Sequence, residues 1–150
     1  MHFTLHEMIE KGMLRRIPSS SEKAIESIRT SEQWLKESEQ TFKAKSFRSS
    51  LLTSYLALFH ASRAVLFADG FREKSHVAVV RYLEEVYASK GKLELKWIET
   101  LDYYRELRHS DQYSTAFIIS EKEAKDALVV SREFHERIKL FLSKEKWIKE

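Results

Sequence analysis

The segment from Ser46 to Ala68 restricts the possible folds of this chain most strongly, because it is apolar on two sides of one helix. Spacings of three and four residues produce these two stripes. The broad stripe consists of Leu51, Leu52, Tyr55, Leu58, Phe59, Ser62, Val65 and Leu66, and the opposite stripe consists of Ala57, Ala61, Ala64 and Ala68. A helix that is apolar on both sides is buried, and its alanines allow a neighbouring helix to approach closely. The sequence therefore predicts a bundle with this helix at its centre.

Residues that favour turns are scarce in the chain. Its 150 residues include 3 Gly and 1 Pro, whereas 33% are charged and 43% are hydrophobic. Sheets of many strands need frequent turns, so this composition favours long helices over a β-sandwich or an α/β sheet. The chain has no Cys, which excludes disulfides, thiolate zinc sites and cysteine nucleophiles. We therefore predict an all-α, antiparallel up-and-down bundle of four to five helices, with no cofactor.

Charge and hydropathy indicate where the protein works. The net charge of +3 and the pI near 9.0 are mildly basic, which does not by itself indicate a nucleic-acid partner. The N-terminus lacks the basic start and apolar core of a signal peptide. The most apolar stretch, Tyr55 to Ala68, is interrupted by His60 and Arg63 and is too short to span a bilayer. We predict a soluble, cytoplasmic protein without a membrane segment.

Capping signals mark the starts of further helices. Ser19 with Glu22, and Ser120 with Glu123, have the spacing of a capping box. The polar segment over residues 71–74 is predicted as a tight turn between the second and third long helices. The resulting organisation is an N-terminal extension or short helix over residues 1–17, one helical domain over residues 18–143 and a charged tail over residues 144–150.

The helix predicted over about Leu93 to Ser110 changes character halfway along. Its apolar stripe is formed by Trp97, Ile98, Leu101 and Tyr104, and the same side then continues with Arg105, Arg108 and His109, with Asp102 beside them. Buried guanidinium and imidazole groups need partners, so this half should border a cleft, a subunit interface or an anion. An imidazole beside a permanent cation suits RNA cleavage, with His109 as acid or base and Arg105 stabilising the developing negative charge.

The cationic half of this helix also has a simpler interpretation. Its arginines and its histidine can form an ion-paired patch with the acidic residues Asp102, Glu106 and Asp111. Spacing along one helix does not distinguish such a patch from a catalytic site. Both interpretations therefore stay open.

Two other pairs that contain histidine share the i, i+4 spacing, one with an arginine and one with a second histidine. Arg72 and His76 lie at a turn and a helix start, where an anion site is expected, although His76 can also simply pack at the end of its helix. His2 and His6 have the spacing of metal ligands, but they lack a carboxylate at the place that a metalloprotease motif requires. We therefore predict no metal site.

Three segments of the sequence resemble the HEPN family of helical domains. They are Ser54 to Gly70 with its alanine and aromatic pattern, Arg-Glu-Lys-Ser-His at residues 72–76, and Leu-Asp-Tyr-Tyr-Arg-Glu-Leu-Arg-His at residues 101–109. They occur in the family's order, and the resemblance covers about residues 18 to 143. It implies a bundle of four or five helices, usually a homodimer, often encoded beside a minimal nucleotidyltransferase partner in toxin and antitoxin pairs.

The resemblance also implies a chemistry, from which this sequence departs. Many family members are metal-independent RNases with an arginine, four to six intervening residues and then a histidine. Three residues separate Arg105 from His109, and three separate Arg72 from His76. In toxin members a tyrosine two residues after the histidine can be adenylylated by the partner, whereas Tyr113 comes four residues after His109.

Three functional hypotheses follow. The first is a nucleotide- or RNA-binding module that acts with a nucleotidyltransferase in a toxin-antitoxin-like system; the second is a metal-independent ribonuclease with Arg105 and His109 as catalytic residues; the third is a structural homodimer without a ligand. We predict a homodimer whose interface includes the helix over residues 93–110, with Arg105 and His109 lining a cleft near the two-fold axis. The predicted ligand-binding residues are Arg108, Asp102, Tyr113, Arg72 and His76.

Overall fold

The computed structural model describes residues 2–113 and 118–145, apart from the side chains of residues 110–113. Within these residues the chain forms six α-helices and one two-stranded antiparallel sheet. The elements are α1 (Leu5–Glu10), β1 (Leu14–Arg16), α2 (Ser21–Lys43), α3 (Phe47–Asp69), β2 (Phe71–Glu73), α4 (His76–Val86), α5 (Leu95–Tyr113) and α6 (Glu121–Glu145), with a short 3-10 turn at Ala88–Lys90. The all-α prediction is confirmed, and the small sheet is an addition to it.

Helix α3 lies at the centre of the bundle. It packs most extensively against α2 and then against α6, and it also contacts α4, α5 and β2. Its alanine stripe is buried, with 0% exposure at Ala57, Ala61 and Ala64 and 3% at Ala68. Helix α3 is long and apolar enough to cross a membrane, whereas its stretch from Tyr55 to Ala68 was predicted to be too short. However, 67% of the most apolar 18 residues of α3 are buried inside the protein. Such burial is typical of the core helix of a soluble protein.

Buried serines allow α2, α3 and α6 to pack closely. Ser31 Oγ on α2 donates to the Ala57 carbonyl on α3 at 2.8 Å and lies 2.8 Å from Nδ1 of His135 on α6. Ser131 Oγ on α6 donates to the Ser54 carbonyl on α3 at 3.1 Å. A serine side chain is small, and its hydroxyl is satisfied by a neighbouring helix, so these polar residues are compatible with a tightly packed core.

The segments on either side of the α2–α3 pair form a two-stranded ribbon. Strands β1 and β2 pair antiparallel, with the register Leu14 opposite Glu73, Arg15 opposite Arg72, and Arg16 opposite Phe71. The prediction that residues 71–74 form a tight turn is therefore wrong, because residues 71–73 are a strand. A strand of three residues is too short to show the alternating pattern by which strands are recognised in a sequence.

The two predicted capping boxes have different outcomes. At the start of α6, Ser120 Oγ accepts from the Glu123 N–H at 3.1 Å, and the Ser120 N–H donates to Glu123 Oε1 at 3.4 Å, which confirms the prediction. At the start of α2 the prediction is wrong, because the cap is Ser20, whose Oγ accepts from the Lys23 N–H at 3.1 Å. The Ser20 N–H also donates to the Phe67 carbonyl at 3.0 Å, so α3 fixes which of three consecutive serines is the cap.

The junction between α3 and α4 is fixed by side chains. Asp69 at the end of α3 accepts hydrogen bonds from the hydroxyls of Tyr82 at 2.6 Å and Tyr87 at 2.5 Å. Ser75 caps α4, which begins at His76. The first residue of α4 is thereby placed beside the middle of α3.

Candidate functional site

Helix α5 changes from apolar to cationic along the side that it presents to the bundle. The apolar half is buried as predicted, with exposures of 8% at Trp97, 2% at Ile98, 1% at Leu101 and 9% at Tyr104. In the following turns Arg105 and Arg108 are half-buried and His109 is exposed. The helix therefore brings two arginines to the margin of the core.

Arg105 is bound by carboxylates of its own helix. Its Nε donates to Asp102 Oδ1 at 2.8 Å, and its Nη2 lies 2.8 Å from the same oxygen and 3.3 Å from Glu106 Oε1. Arg81 Nη2 on α4 lies 3.9 Å from the other carboxylate oxygen of Asp102. The ion-paired interpretation therefore applies to Arg105, and an anionic ligand would compete with two carboxylates for this arginine.

Arg108 lies against an aromatic ring of α3. Its guanidinium carbon is 5.7 Å from the centroid of the Tyr55 ring, within the range of a cation–π interaction. Among the residues whose side chains the structure describes, none forms an ion pair with Arg108. No described carboxylate therefore neutralises the positive charge of Arg108, and the side chain of its other predicted partner, Asp111, lies outside the described residues.

His76 reaches the same tyrosine from α4. Its Nδ1 and the Tyr55 hydroxyl are hydrogen-bonded at 2.7 Å, and its ring stacks on Phe59 with centroids 4.0 Å apart and an interplanar angle of 12°. Tyr55 and Phe59 are buried one turn apart on α3, and burial raises the pKa of the Tyr55 hydroxyl. Three helices thus build one site, in which α3 supplies the aromatic rings, α4 the imidazole and α5 the guanidinium.

The surroundings of His76 keep its imidazole neutral. Burial is the largest cause, and the charges of Arg108, Arg63, His60 and Arg105 add to it, so that the pKa of His76 is lowered to about 4. An anion that neutralised these cations would favour the protonated imidazole and raise this pKa. A phosphate bound beside Arg108 would therefore oppose the part of the lowering that the cations cause, whereas the larger effect of burial would remain.

The other predicted residues of α5 are less well defined. His109 is exposed and follows Arg105 by four residues, which places it one helical turn further along. Helix α5 ends at Tyr113, but the side chains of Asp111 and Tyr113 lie outside the described residues. The roles predicted for Arg105, His109 and Tyr113 stay predictions.

Arg72 and His76 have different neighbours in the structure. Arg72 is an exposed residue of β2 and lies opposite Arg15 in the ribbon. His76 begins α4, and its ring is stacked against Phe59 of α3. Their spacing suggested one anion site, but residues 71–73 are a strand, so no helical turn connects the two side chains. Each stays a predicted ligand residue, within a separate group of side chains.

Tyr55 and Phe59 are site residues that the sequence did not reveal. Both belong to the broad apolar stripe of the central helix, and both are buried, at 1% and 7% exposure. Two aromatic residues one turn apart can indicate a stacking surface, but here they could not be told from ordinary core residues. Only the packing of α4 and α5 on α3 brings His76 and Arg108 to them.

The N-terminal histidines each contact a different carboxylate. His2 Nε2 lies 3.3 Å from Glu85 Oε1, and His6 Nε2 lies 3.0 Å from Glu10 Oε1. Within the described part of the chain, no group of three histidine, cysteine or acidic residues is close enough to hold a metal ion. The i, i+4 spacing of these histidines thus corresponds to two separate surface contacts.

Comparisons with known proteins agree with the resemblance seen in the sequence. The HEPN domain family model matches residues 24–141, a span that contains α3, α4 and α5 completely and most of α2 and α6. The chain is also 25% identical over 112 residues to a Methanocaldococcus jannaschii protein named "Putative toxin MJ0605". That match covers 75% of this chain and 83% of the relative.

Proposed function

Since the chain belongs to the HEPN family, we propose that it is a toxin-like module that binds RNA or a nucleotide and acts with a nucleotidyltransferase partner in the cytoplasm. The word toxin in the name of the archaeal relative supports the toxin-like part of this proposal. The family match spans the residues that form the group around Tyr55.

The position of Arg108 is the observation that carries the proposal. Its guanidinium lies over the Tyr55 ring, and the hydroxyl of that tyrosine is hydrogen-bonded to the imidazole of His76. No described carboxylate pairs with Arg108. A cation in this state is attracted to phosphate oxygens, which accept charge-assisted hydrogen bonds from arginine. The aromatic rings beside it suit a nucleobase, because bases stack on such rings.

We place this function in a homodimer. Helix α5 exposes two large apolar side chains, Leu95 at 54% and Tyr103 at 59%. Exposed apolar residues near a functional group of side chains suit a subunit contact. If the two-fold axis passes near α5, Arg105 and His109 of both copies line a shared cleft. Light scattering should give twice the chain mass, and a value of 17.8 kDa at micromolar concentration would contradict the dimer.

Fluorescence anisotropy with a labelled single-stranded RNA tests the binding function. Arg108→Ala should weaken binding by about tenfold or more, because a charge-assisted hydrogen bond contributes roughly 1.5 to 3 kcal/mol. The matched control is Arg132→Ala, which removes an exposed arginine that pairs with Glu39 at 2.8 Å. The control should bind as the unmodified protein does, and equal affinities of the two variants would contradict the proposal. Co-purification from the native host should recover a nucleotidyltransferase.

Metal-independent RNA cleavage by Arg105 and His109 is the second candidate function. Its support is the exposed position of His109 one turn after Arg105. Incubation of a structured RNA with the protein and EDTA separates the two functions. Cleavage that is lost in His109→Ala indicates the ribonuclease, whereas binding without cleavage indicates the binding module. If the protein neither binds nor cleaves RNA, the structural homodimer is the remaining hypothesis.

A further inference from the structure

A second cationic surface lies at the β-ribbon, outside the group around Tyr55. We call it the ribbon surface and define it by Arg15, Lys23, Arg72 and Lys74. Two open pockets border it, one of about 380 Å³ between the ribbon residues and one of about 270 Å³ between α2, α3 and β2. Arg72 lines both pockets, so the two are adjacent.

The cations of the ribbon surface lack carboxylate partners in the described part of the chain, in contrast to those of α6. None of the four residues that define the surface forms an ion pair there. On α6 the paired cations are Lys122 with Asp126 at 2.7 Å, Arg132 with Glu39 at 2.8 Å, Arg137 with Glu94 at 2.8 Å and Lys139 with Glu32 at 3.7 Å. Among the described residues, carboxylates thus neutralise four cations on α6 and none of those on the ribbon surface.

The register of the ribbon also brings two of these positive charges close together. Arg15 and Arg72 are directly opposite each other, and like charges at opposed positions of an antiparallel pair are destabilising. The acidic residue of the ribbon, Glu73, does not relieve the repulsion, because its Oε1 accepts from Arg63 Nε at 2.7 Å and its side chain is only 6% exposed. A bound anion would remove the repulsion between the two arginines.

The chemistry of this surface fits a nucleic-acid backbone rather than a protein. Guanidinium groups match phosphate oxygens in a bidentate geometry. The half-buried rings of His60 and Phe67 line the smaller pocket, where bases adjoining a bound phosphate can stack. A protein interface needs apolar anchors. In the described residues the exposed large apolar side chains are all in α5, α6 or the segment between them, namely Leu95, Tyr103, Ile118, Val129 and Leu140.

We propose that the ribbon surface binds the phosphate backbone of single-stranded RNA as a second contact region, separate from the group around Tyr55. This inference rests on the proposed function, because it extends the bound RNA beyond Arg108. Arg15 and Arg72 bind one phosphate between the strands of the ribbon. Lys23 binds a neighbouring phosphate at the smaller pocket. The Arg63–Glu73 ion pair joins β2 to α3 and neutralises the glutamate, which also lines the larger pocket.

The salt dependence of RNA binding tests this proposal. The double variant Arg15→Ala/Arg72→Ala is compared with Lys122→Ala/Arg132→Ala, which removes the same charge from α6. With a labelled single-stranded RNA, the slope of log affinity against log salt should fall by about 0.7 in the ribbon variant, because Arg15 and Arg72 together bind one phosphate and each phosphate bound on a single strand contributes about 0.7. Its affinity should fall about tenfold, and the α6 variant should stay within about twofold of the unmodified protein. Thermal unfolding provides the folding control, because loss of the Arg15–Arg72 repulsion should not lower the midpoint.

The outcomes separate this inference from the proposed function. If the ribbon and α6 variants bind equally and Arg108→Ala binds weakly, the ribbon surface is wrong and the function stands. If the ribbon variant loses affinity and Arg108→Ala does not, the ribbon surface is supported and the assignment on α5 is wrong. An absence of RNA binding by the unmodified protein overturns both. Calorimetry with AMP adds one arm, because an equal loss of AMP and RNA affinity in the ribbon variant would indicate a site for a single phosphate and overturn the backbone proposal.

Discussion

Arg63 and Arg108 both lie against aromatic rings of α3, but they differ in their charge partners. The guanidinium carbon of Arg63 is 5.1 Å from the Phe67 ring, and its Nε donates to Glu73 at 2.7 Å. Arg108 lies 5.7 Å from the Tyr55 ring and has no carboxylate partner among the described residues. An arginine with an enclosed carboxylate contributes to the fold, whereas one whose only described neighbour of this kind is an aromatic ring is the better candidate for binding an anion. The surroundings, and not the residue type, separate these two roles.

The largest expected difference between the two arginines is in stability. Arg63→Ala leaves the carboxylate of Glu73 unpaired at 6% side-chain exposure, so the free energy of unfolding should fall by about 3 kcal/mol. Urea denaturation measures the loss. Adding Glu73→Gln to this variant should recover part of it, because the unpaired charge is removed. A loss below about 1 kcal/mol in Arg63→Ala would show that the Arg63–Glu73 pair contributes no more than an exposed salt bridge.

A change in α3 itself should affect both arginines, because Arg63 belongs to this helix and Arg108 of α5 lies against its Tyr55 ring. Ala61 is 0% exposed, and Ala61→Leu adds three carbons where the neighbouring atoms leave no room. Overpacking of this kind costs about 1 to 3 kcal/mol, which urea denaturation would detect. An unchanged denaturation midpoint would mean that the alanine stripe tolerates a larger residue and that α3 does not fix its neighbours as closely as its burial indicates.

Arg108→Ala should have a small effect on stability despite its effect on ligand binding. A cation–π contact at a partly exposed position contributes about 0.5 to 1 kcal/mol. Arg105→Ala is the matched comparison, because it removes a partly exposed ion pair on the same helix, and such pairs contribute about 0 to 1 kcal/mol. Thermal unfolding of both variants should show similar, small shifts. A loss above about 2 kcal/mol in Arg108→Ala would make Arg108 a structural residue like Arg63.

The smallest expected effect is on the titration of His76. Its pKa is about 4 in the folded protein and 6.5 as its ordinary value, so between these pH values the unfolded chain binds more protons. This contribution to stability is therefore present above about pH 6.5 and is lost as the pH falls toward 4. Arg108→Ala removes one of the lowering charges, so NMR titration should show a pKa of His76 higher by under about one unit. Arg132→Ala should leave this pKa unchanged. If Arg108→Ala also leaves the pKa of His76 as it is in the unmodified protein, the charge of Arg108 does not lower that pKa.

The helical framework could be predicted because it depends on local spacing. The two stripes of α3, the inward residues of α5 and the capping box at Ser120 follow rules that act within one or two turns. The ribbon could not be predicted, because each strand has three residues and is defined by its partner. The cap of α2 at Ser20 instead of Ser19 has the same origin, since a contact with α3 selects among the serines.

The candidate site was predictable only as far as α5 extends. The change from apolar to cationic residues after Tyr104 indicated Arg105 and Arg108, but their different partners depend on where Asp102, Glu106 and Tyr55 lie. The pairing of Tyr55 with His76 joins residues of two helices, and no pattern within either helix predicts it. Sequence spacing identifies which residue types share a face, whereas tertiary packing decides which of them stay charged and accessible.

The position of the ribbon in the chain has a consequence for the order of folding. Strand β1 precedes α2 and β2 follows α3, so closing the α2–α3 hairpin lowers the entropic cost of pairing two strands that are far apart in the sequence. We therefore expect Arg15 and Arg72 to become neighbours late in folding. The family match begins at residue 24, after β1. A fragment limited to that match would thus lack β1 and Arg15, and β2 would have no partner strand.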